Sequence, residues 1–153
     1  MSPRALTLTG LHIYPVKSCH GIDLQKMRIG KRGPENDRRW MIVDDKGNFL
    51  SQRRHPKMAL IKTTLVDSGL SLNAPGMPEC MLPVRTESEV GEKIKVNIWS
   101  DQVNAVNCGE DASRWLSRFM DLPCRLVTME KDFVRPVDAD YASVESQVSF
   151  ADV

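Results

Sequence analysis

The chain has 153 residues, 41% hydrophobic and 27% charged, the composition of one soluble globular domain or a little less than two, with a core of ordinary size. Its formal net charge is +1, so the whole chain has no drive toward nucleic acid or an anionic membrane. Any anion site must arise from local placement of Lys and Arg. No apolar run follows Met-Ser-Pro-Arg, and no stretch reaches the apolar length of a membrane helix. Cys19, Cys80, Cys108 and Cys124 form no C-x-x-C pair, which argues against a zinc ribbon or a thioredoxin-type site. The expectation is a cytoplasmic protein with reduced thiols, mostly buried.

The early elements read as strands. "LTLTGLHIYPV" and "GIDLQKMRI" alternate, with Pro15 marking an edge, a strand end or a bulge. Met41-Ile42-Val43 and Phe49-Leu50 flank Asp45-Lys46-Gly47-Asn48, a hairpin whose turn needs the left-handed freedom of Gly47. A second hairpin is expected from Ala59-Leu60-Ile61 and Leu65-Val66 through Asp67-Ser68-Gly69 to Leu70 and Leu72. "ECMLPV" reads as a short edge strand, and "KIKVNIW" as a strand able to pair with "QVNAVN". One amphipathic helix spans about 111–120, with Asp111 as its N-cap, Trp115, Leu116, Phe119 and Met120 on one face, and Pro123 after its end. "CRLVTM" returns to strand. From Lys131 onward the chain is polar, without clear period until "VSFADV". Many short strands and one helix predict a mainly β fold (a β-rich α+β class): a mixed, closed or curled β-barrel, since closure removes exposed edges.

Lys17-Ser18, at the end of the first strand, brings an ammonium, a hydroxyl and backbone N–H groups to one corner, the groups an oxyanion attracts. On spacing alone a solvated strand end is the favoured reading, and no glycine-rich run makes this a Walker A loop. Cys19 and His20 are adjacent, so on a strand they point to opposite faces and make a poor nucleophile and base. Arg38 and Arg53 lie at the two ends of the first hairpin, and a hairpin sets its ends side by side. Asp37 is placed to orient Arg38. That convergence raises the two arginines above surface background, and Arg suits bidentate phosphate contact. Trp40, Trp99 and Trp115 read as core residues rather than stacking platforms. His12, His20 and His55 have no partner spacing for a metal.

"YPVKSC", "DRRWMIVD", "LSQRRHP" and "CGEDASRWLS" occur in this order in MOSC proteins, and the sequence resembles their N-terminal β-barrel domain. The family includes the mitochondrial amidoxime-reducing component and bacterial proteins that detoxify N-hydroxylated bases. The resemblance runs from about Leu6 to the final "VSFAD". It implies a barrel domain over 1–130, and the polar composition beyond it predicts a loosely ordered tail over 131–153 leading toward an absent MOSC domain. It also implies a molybdenum cofactor (molybdopterin), whose phosphate end would be contacted by Lys17, Ser18 and Arg38, with Arg53 at a further matching position. The site would be partial, since the family's molybdenum-binding thiolate belongs to the following domain and none of the four cysteines stands in its place. Gly33-Pro34-Glu35 also departs from the family pattern just before Arg38.

The resemblance therefore implies the N-terminal half of a molybdenum-cofactor-dependent reductase of N-hydroxylated compounds. It would have no catalytic or metal-binding residue of its own and would be inactive alone. Its implied partners are the missing MOSC domain and a redox protein supplying electrons, with no nucleic acid and no membrane. The alternative is a stand-alone anion-binding or scaffold domain. A hydrolase built on Cys19 and His20 is disfavoured by their geometry.

Overall fold

The computed structural model describes residues 5–67, 69–83, 91–130, 132–143 and 145–152. Ser68 of the second hairpin, Val84 of "ECMLPV", and Lys131 and Val153 at the tail's ends fall outside them. The strands are β1 (Leu11–Ile13), β2 (Ile22–Leu24), β3 (Ile29–Gly30), β4 (Gly33–Pro34), β5 (Trp40–Asp44), β6 (Lys62–Val66), β7 (Gly69–Asn73), β8 (Cys80–Pro83), β9 (Lys93–Ile98), β10 (Asp101–Asn107) and β11 (Cys124–Met129). A 3-10 helix covers Pro56–Leu60 and the helix α1 covers Glu110–Met120. The fold is mainly β, with one α-helix among the described residues.

The central sheet runs β5-β11-β10-β9, all antiparallel. It curls, and residues 47–50 bridge its two edges. Phe49 pairs with Val43 of β5, while Asn48 pairs with Asn97 of β9. Leu50 N donates to Ile42 O at 2.8 Å, and Phe49 N to Asn97 O at 3.1 Å. The hairpin turn thus satisfies the backbone groups that both edges would leave open. Gly47 makes this possible: its φ is 83°, and its carbonyl accepts from Asn97 N at 2.8 Å.

Both faces of this sheet are covered at β5 and β11. Met41, Val43, Val96, Ile98, Ala105, Val127 and Met129 pack together inside the curl. Ile42 and Leu126 point the other way, into a second core with Leu70, Leu72, Met58 and the apolar face of α1. Strand alternation sends neighbours such as Ile42 and Val43 to different cores, so the "WMIV" run is apolar throughout. The three-stranded sheet β6-β7-β8 covers the second core, and α1 packs on β11 and β8.

Several local expectations are corrected. The first strand is short: only Leu11–Ile13 pair with β2, and Leu6 and Leu8 are exposed. Residues 59–61 are not strand, because Pro56, at the first position, starts a 3-10 turn and β6 begins at Lys62. Asp111 is not the N-cap of α1. Gly109 is, at φ 107°, and its N–H is taken by Asn107 Oδ1 at 3.1 Å, so the helix starts earlier. Asp111 lies in the first turn, where a carboxylate favours the helix dipole, and pairs with Arg114 at 2.9 Å. "VSFADV" forms no strand over its described residues. Instead Phe150 is fully buried, edge-on to Phe133 with ring centroids 5.2 Å apart.

The segment after β11 is tied down at particular points. Arg135 is 1% exposed and donates to Asp101 Oδ2 at 2.7 Å, Ser149 O at 3.1 Å and Ala151 O at 2.6 Å. Phe150 N donates to Arg38 O at 3.1 Å. Residues 149–152 are thereby led to the same end of the barrel as Arg38.

Candidate anion-binding site

Past β1 the chain runs beside the start of β5. Arg38 N donates to Tyr14 O at 2.8 Å, Trp40 N to Pro15 O at 3.1 Å, and Lys17 N to Trp40 O at 2.9 Å. Val16 and Trp40 form a parallel bridge. Pro15 lacks an N–H but offers its carbonyl, so it suits this one-sided pairing. This zipper places Lys17 and Ser18 next to Arg38. On the other side Leu50 is tied to β5, and the turn beyond it carries Ser51, Gln52 and Arg53. Gln52 Nε2 donates to Ser18 O at 2.9 Å and fastens that turn to the Lys17-Ser18 corner.

The four residues singled out from the sequence, Lys17, Ser18, Arg38 and Arg53, line one cavity of about 280 Å³, together with Tyr14, Cys19, Phe49, Ser51, Gln52, Trp99 and Asp152. Lys17 is 5% exposed. Its ammonium lies 5.4 Å from the Phe49 ring and 5.9 Å from the Trp99 ring. Arg53 stands 5.6 Å from the Trp99 ring. Arg38 stacks 4.7 Å from the Tyr14 ring. Asp37, buried, accepts from Arg38 Nη1 at 2.6 Å and from Tyr14 N at 2.8 Å, which orients the guanidinium as the sequence suggested.

Among the described residues five non-glycine positions have positive φ, and three of them, Ser18 at 65°, Arg38 at 47° and Trp99 at 53°, line this cavity. Such backbone costs about 1–3 kcal/mol per residue and persists where the surroundings impose it, commonly at ligand sites. The departure at Gly33-Pro34-Glu35 does not remove Arg38 from the cavity: Gly33 and Pro34 form β4, and Asn36, at φ 64°, turns the chain back.

The other basic, thiol and imidazole side chains near it add nothing to this cluster of cations. Arg32 donates to Phe133 O at 2.5 Å and lies over that ring. Cys19 is 1% exposed, and burial alone pushes its thiol far up, so it is no thiolate. His20, beside it, is exposed. Cys124 is also buried, and burial takes its thiol up to about 11 against a smaller opposing effect of Ser117. Among the described residues no three His, Cys, Asp or Glu side chains gather as a metal site would require.

Sequence reasoning misplaced Trp99 and missed Asp152. Trp115 is core and Trp40 packs against it, but Trp99 is 47% exposed in the β9–β10 turn. A signal existed: the alternation Ile94, Val96, Ile98 sets Trp99 on the face opposite the core. Asp152 had none. It ion-pairs with Lys17 and accepts from Trp99 Nε1 at 3.0 Å, 135 residues after Lys17. Burial lowers the pKa of Lys17, only partly opposed by Asp152, with Arg135 and Arg38 lowering it further. Burial raises that of Asp152, but donation from Lys17 and Trp99 and the charges of Lys17 and Arg53 outweigh it, so the carboxyl titrates below its ordinary range.

Comparison with known proteins gives a consistent answer. The profile of the MOSC N-terminal beta barrel domain matches residues 5–123. The chain is 37% identical over 133 residues to a molybdenum cofactor sulfurase of Danio rerio, covering 84% of this chain and 16% of that protein. It is 33% identical over 132 residues to mitochondrial amidoxime-reducing component 1 of Xenopus laevis, covering 82% of this chain and 38% of that protein. The chain thus spans well under half of these relatives. A solution structure of a Bordetella bronchiseptica protein superposes with a TM-score of 0.54 at 24% identity, over 68% of this chain and 86% of that one, which is a likeness of fold.

Proposed function

This chain belongs to the MOSC N-terminal beta barrel domain family, found in molybdenum-cofactor-related proteins, and from that premise we propose that its Lys17 cavity receives the phosphate end of a pterin cofactor. The observation that carries this reading is the meeting of Lys17, Arg38 and Arg53 with the Ser18 hydroxyl around one concavity. Among the described residues three cationic side chains there answer two carboxylates, Asp37 and Asp152, and Asp37 is already engaged by Arg38.

Each residue has a distinct part. Lys17 supplies a compact charge between aromatic rings, where low polarity strengthens its attraction for an anion. Arg38, held by Asp37, presents a planar fork with little freedom left to lose. Arg53 approaches from the turn that Gln52 fastens to Ser18. Ser18 offers a hydroxyl donor.

The fit covers the phosphate end alone. A molybdenum centre calls for a soft thiolate ligand, and Cys19, the cavity's cysteine, is buried as a neutral thiol. The bound cofactor would supply the molybdenum chemistry of a longer protein, and this chain's residues would bind and orient it without a catalytic group of their own. In that longer protein we place a MOSC domain after residues 131–153, reduction of N-hydroxylated compounds as the activity, and a redox protein as electron donor. The name of the amidoxime-reducing relative supports reduction.

The test is titration of the isotope-labelled chain with inorganic phosphate and with molybdopterin, followed residue by residue. Saturable shifts centred on Lys17, Ser18, Arg38 and Arg53 are expected. No response at these residues to either ligand would overturn the reading.

A further inference from the structure

We propose that Asp152 is a tethered competitor for the anion site, and that it sets the ligand class by rejecting simple carboxylates in favour of phosphate monoesters. This rests on the reading of the Lys17 cavity as a phosphate site. The ammonium of Lys17, the most buried of the site's cations, already has an anion: the Asp152 carboxylate. That carboxylate comes from a segment clasped by Arg135 through the Ser149 and Ala151 carbonyls. Its side chain is itself 63% exposed, so it sits at the mouth of the cavity and has room to swing out. The clasp holds the backbone, while the side chain is held by Lys17 and Trp99 at the cavity mouth.

A tethered group competes at an effective concentration on the order of millimolar. A carboxylate from solution offers Lys17 the same chemistry as Asp152 without the tether, and gains nothing by replacing it. A phosphate monoester carries up to two charges on three oxygens. It can take Lys17 from Asp152 while also engaging Arg38, Arg53 and Ser18, which Asp152 does not bond. The groups facing Asp152 are Lys17, Arg53 and the Trp99 indole, with Arg38 and Arg135 acting on Lys17 behind it. Once displaced, the carboxylate releases the Trp99 N–H, which makes that indole a reporter.

The experiment compares the chain with its Asp152→Asn and Asp152→Ser variants. Both changes lie at an exposed side chain and leave the barrel core untouched. Inorganic phosphate, phenyl phosphate and acetate are titrated while the Trp99 indole N–H resonance is followed. Both variants are expected to bind both phosphates about tenfold more tightly, the ordinary size of a coupling between two sites. They should gain measurable acetate binding that the parent chain lacks. Phosphate added to the parent chain should move the Trp99 resonance in the direction that the substitutions move it. Phosphate binding that is unchanged or weaker in both variants overturns the competitor role and leaves the phosphate site standing. Absence of phosphate binding in all three proteins overturns the site, and the competitor with it.

Discussion

The Trp99 indole nitrogen donates to the Asp152 carboxylate at 3.0 Å, joining the β9–β10 turn to the end of the described chain. The same ring faces Lys17 and Arg53. One exposed tryptophan therefore faces two of the site's three cations and holds the carboxylate paired with one of them.

The Lys17–Asp152 pair makes the site sensitive to pH in opposite ways at the two extremes. The folded pKa of Lys17 is below 10.5, so the fold disfavours its charge, and stability attributable to this group rises as pH climbs from the folded value to 10.5. Phosphate affinity should fall over that same window, because the ammonium is a ligand. Titrations at increasing pH should show affinity declining before ordinary lysines lose their charge. Asp152 behaves conversely. Its folded pKa is below 3.8, so its contribution is present above 3.8 and is lost as pH falls through the folded value. Acid titration followed by the Trp99 indole N–H resonance checks this.

Asp37 accepts from two donors and is 8% exposed. Asp37→Ala strands the Tyr14 N–H and frees Arg38 to leave its stack on Tyr14. The expected loss is about 1–2 kcal/mol of stability, mostly from the backbone donor, since the Arg38 side chain is 35% exposed and its ion pair is screened. Phosphate affinity should fall further than stability alone explains. Denaturant unfolding beside phosphate titration separates the two effects.

Gly47→Ala should destabilise the fold by about 2 kcal/mol, from left-handed backbone strain and a clash. A Cβ there would lie 2.7 Å from the Lys95 carbonyl oxygen. Since residues 47–50 bridge the curled sheet and lead into Arg53, the substitution should also weaken phosphate binding. Thermal unfolding and titration check both.

Arg135→Ala should release residues 148–152. Val148 N and Phe150 N, which donate to Arg135 O and Arg38 O, are expected to be protected from hydrogen exchange in the parent chain and to lose that protection in the variant. Tyr141, 87% exposed, lies between these anchors, and its neighbourhood should exchange quickly in both proteins. Fast exchange at Phe150 in the parent chain would show the anchoring to be absent.

Much of the barrel was legible because its signals are local. The Gly47 hairpin, the β9–β10 pair and the apolar stripe of α1 each follow from a few neighbouring residues, through turn chemistry or side-chain period. Boundaries failed where a neighbour in space decided them: Asn107 took the Gly109 N–H and shifted the helix start, and among the described residues no partner strand meets Leu6 and Leu8. The cationic corner was half legible, since hairpin geometry brings Arg38 near Arg53 whatever the rest of the fold does. That Lys17 joins them depended on a parallel zipper between residues 14–17 and 38–40, which no periodicity announces. Asp152 was illegible altogether. Its place is set by a buried arginine gathering distant carbonyls, and a contact across 135 residues leaves no trace in local pattern, because loop closure on that scale is settled only by the packing of the whole chain.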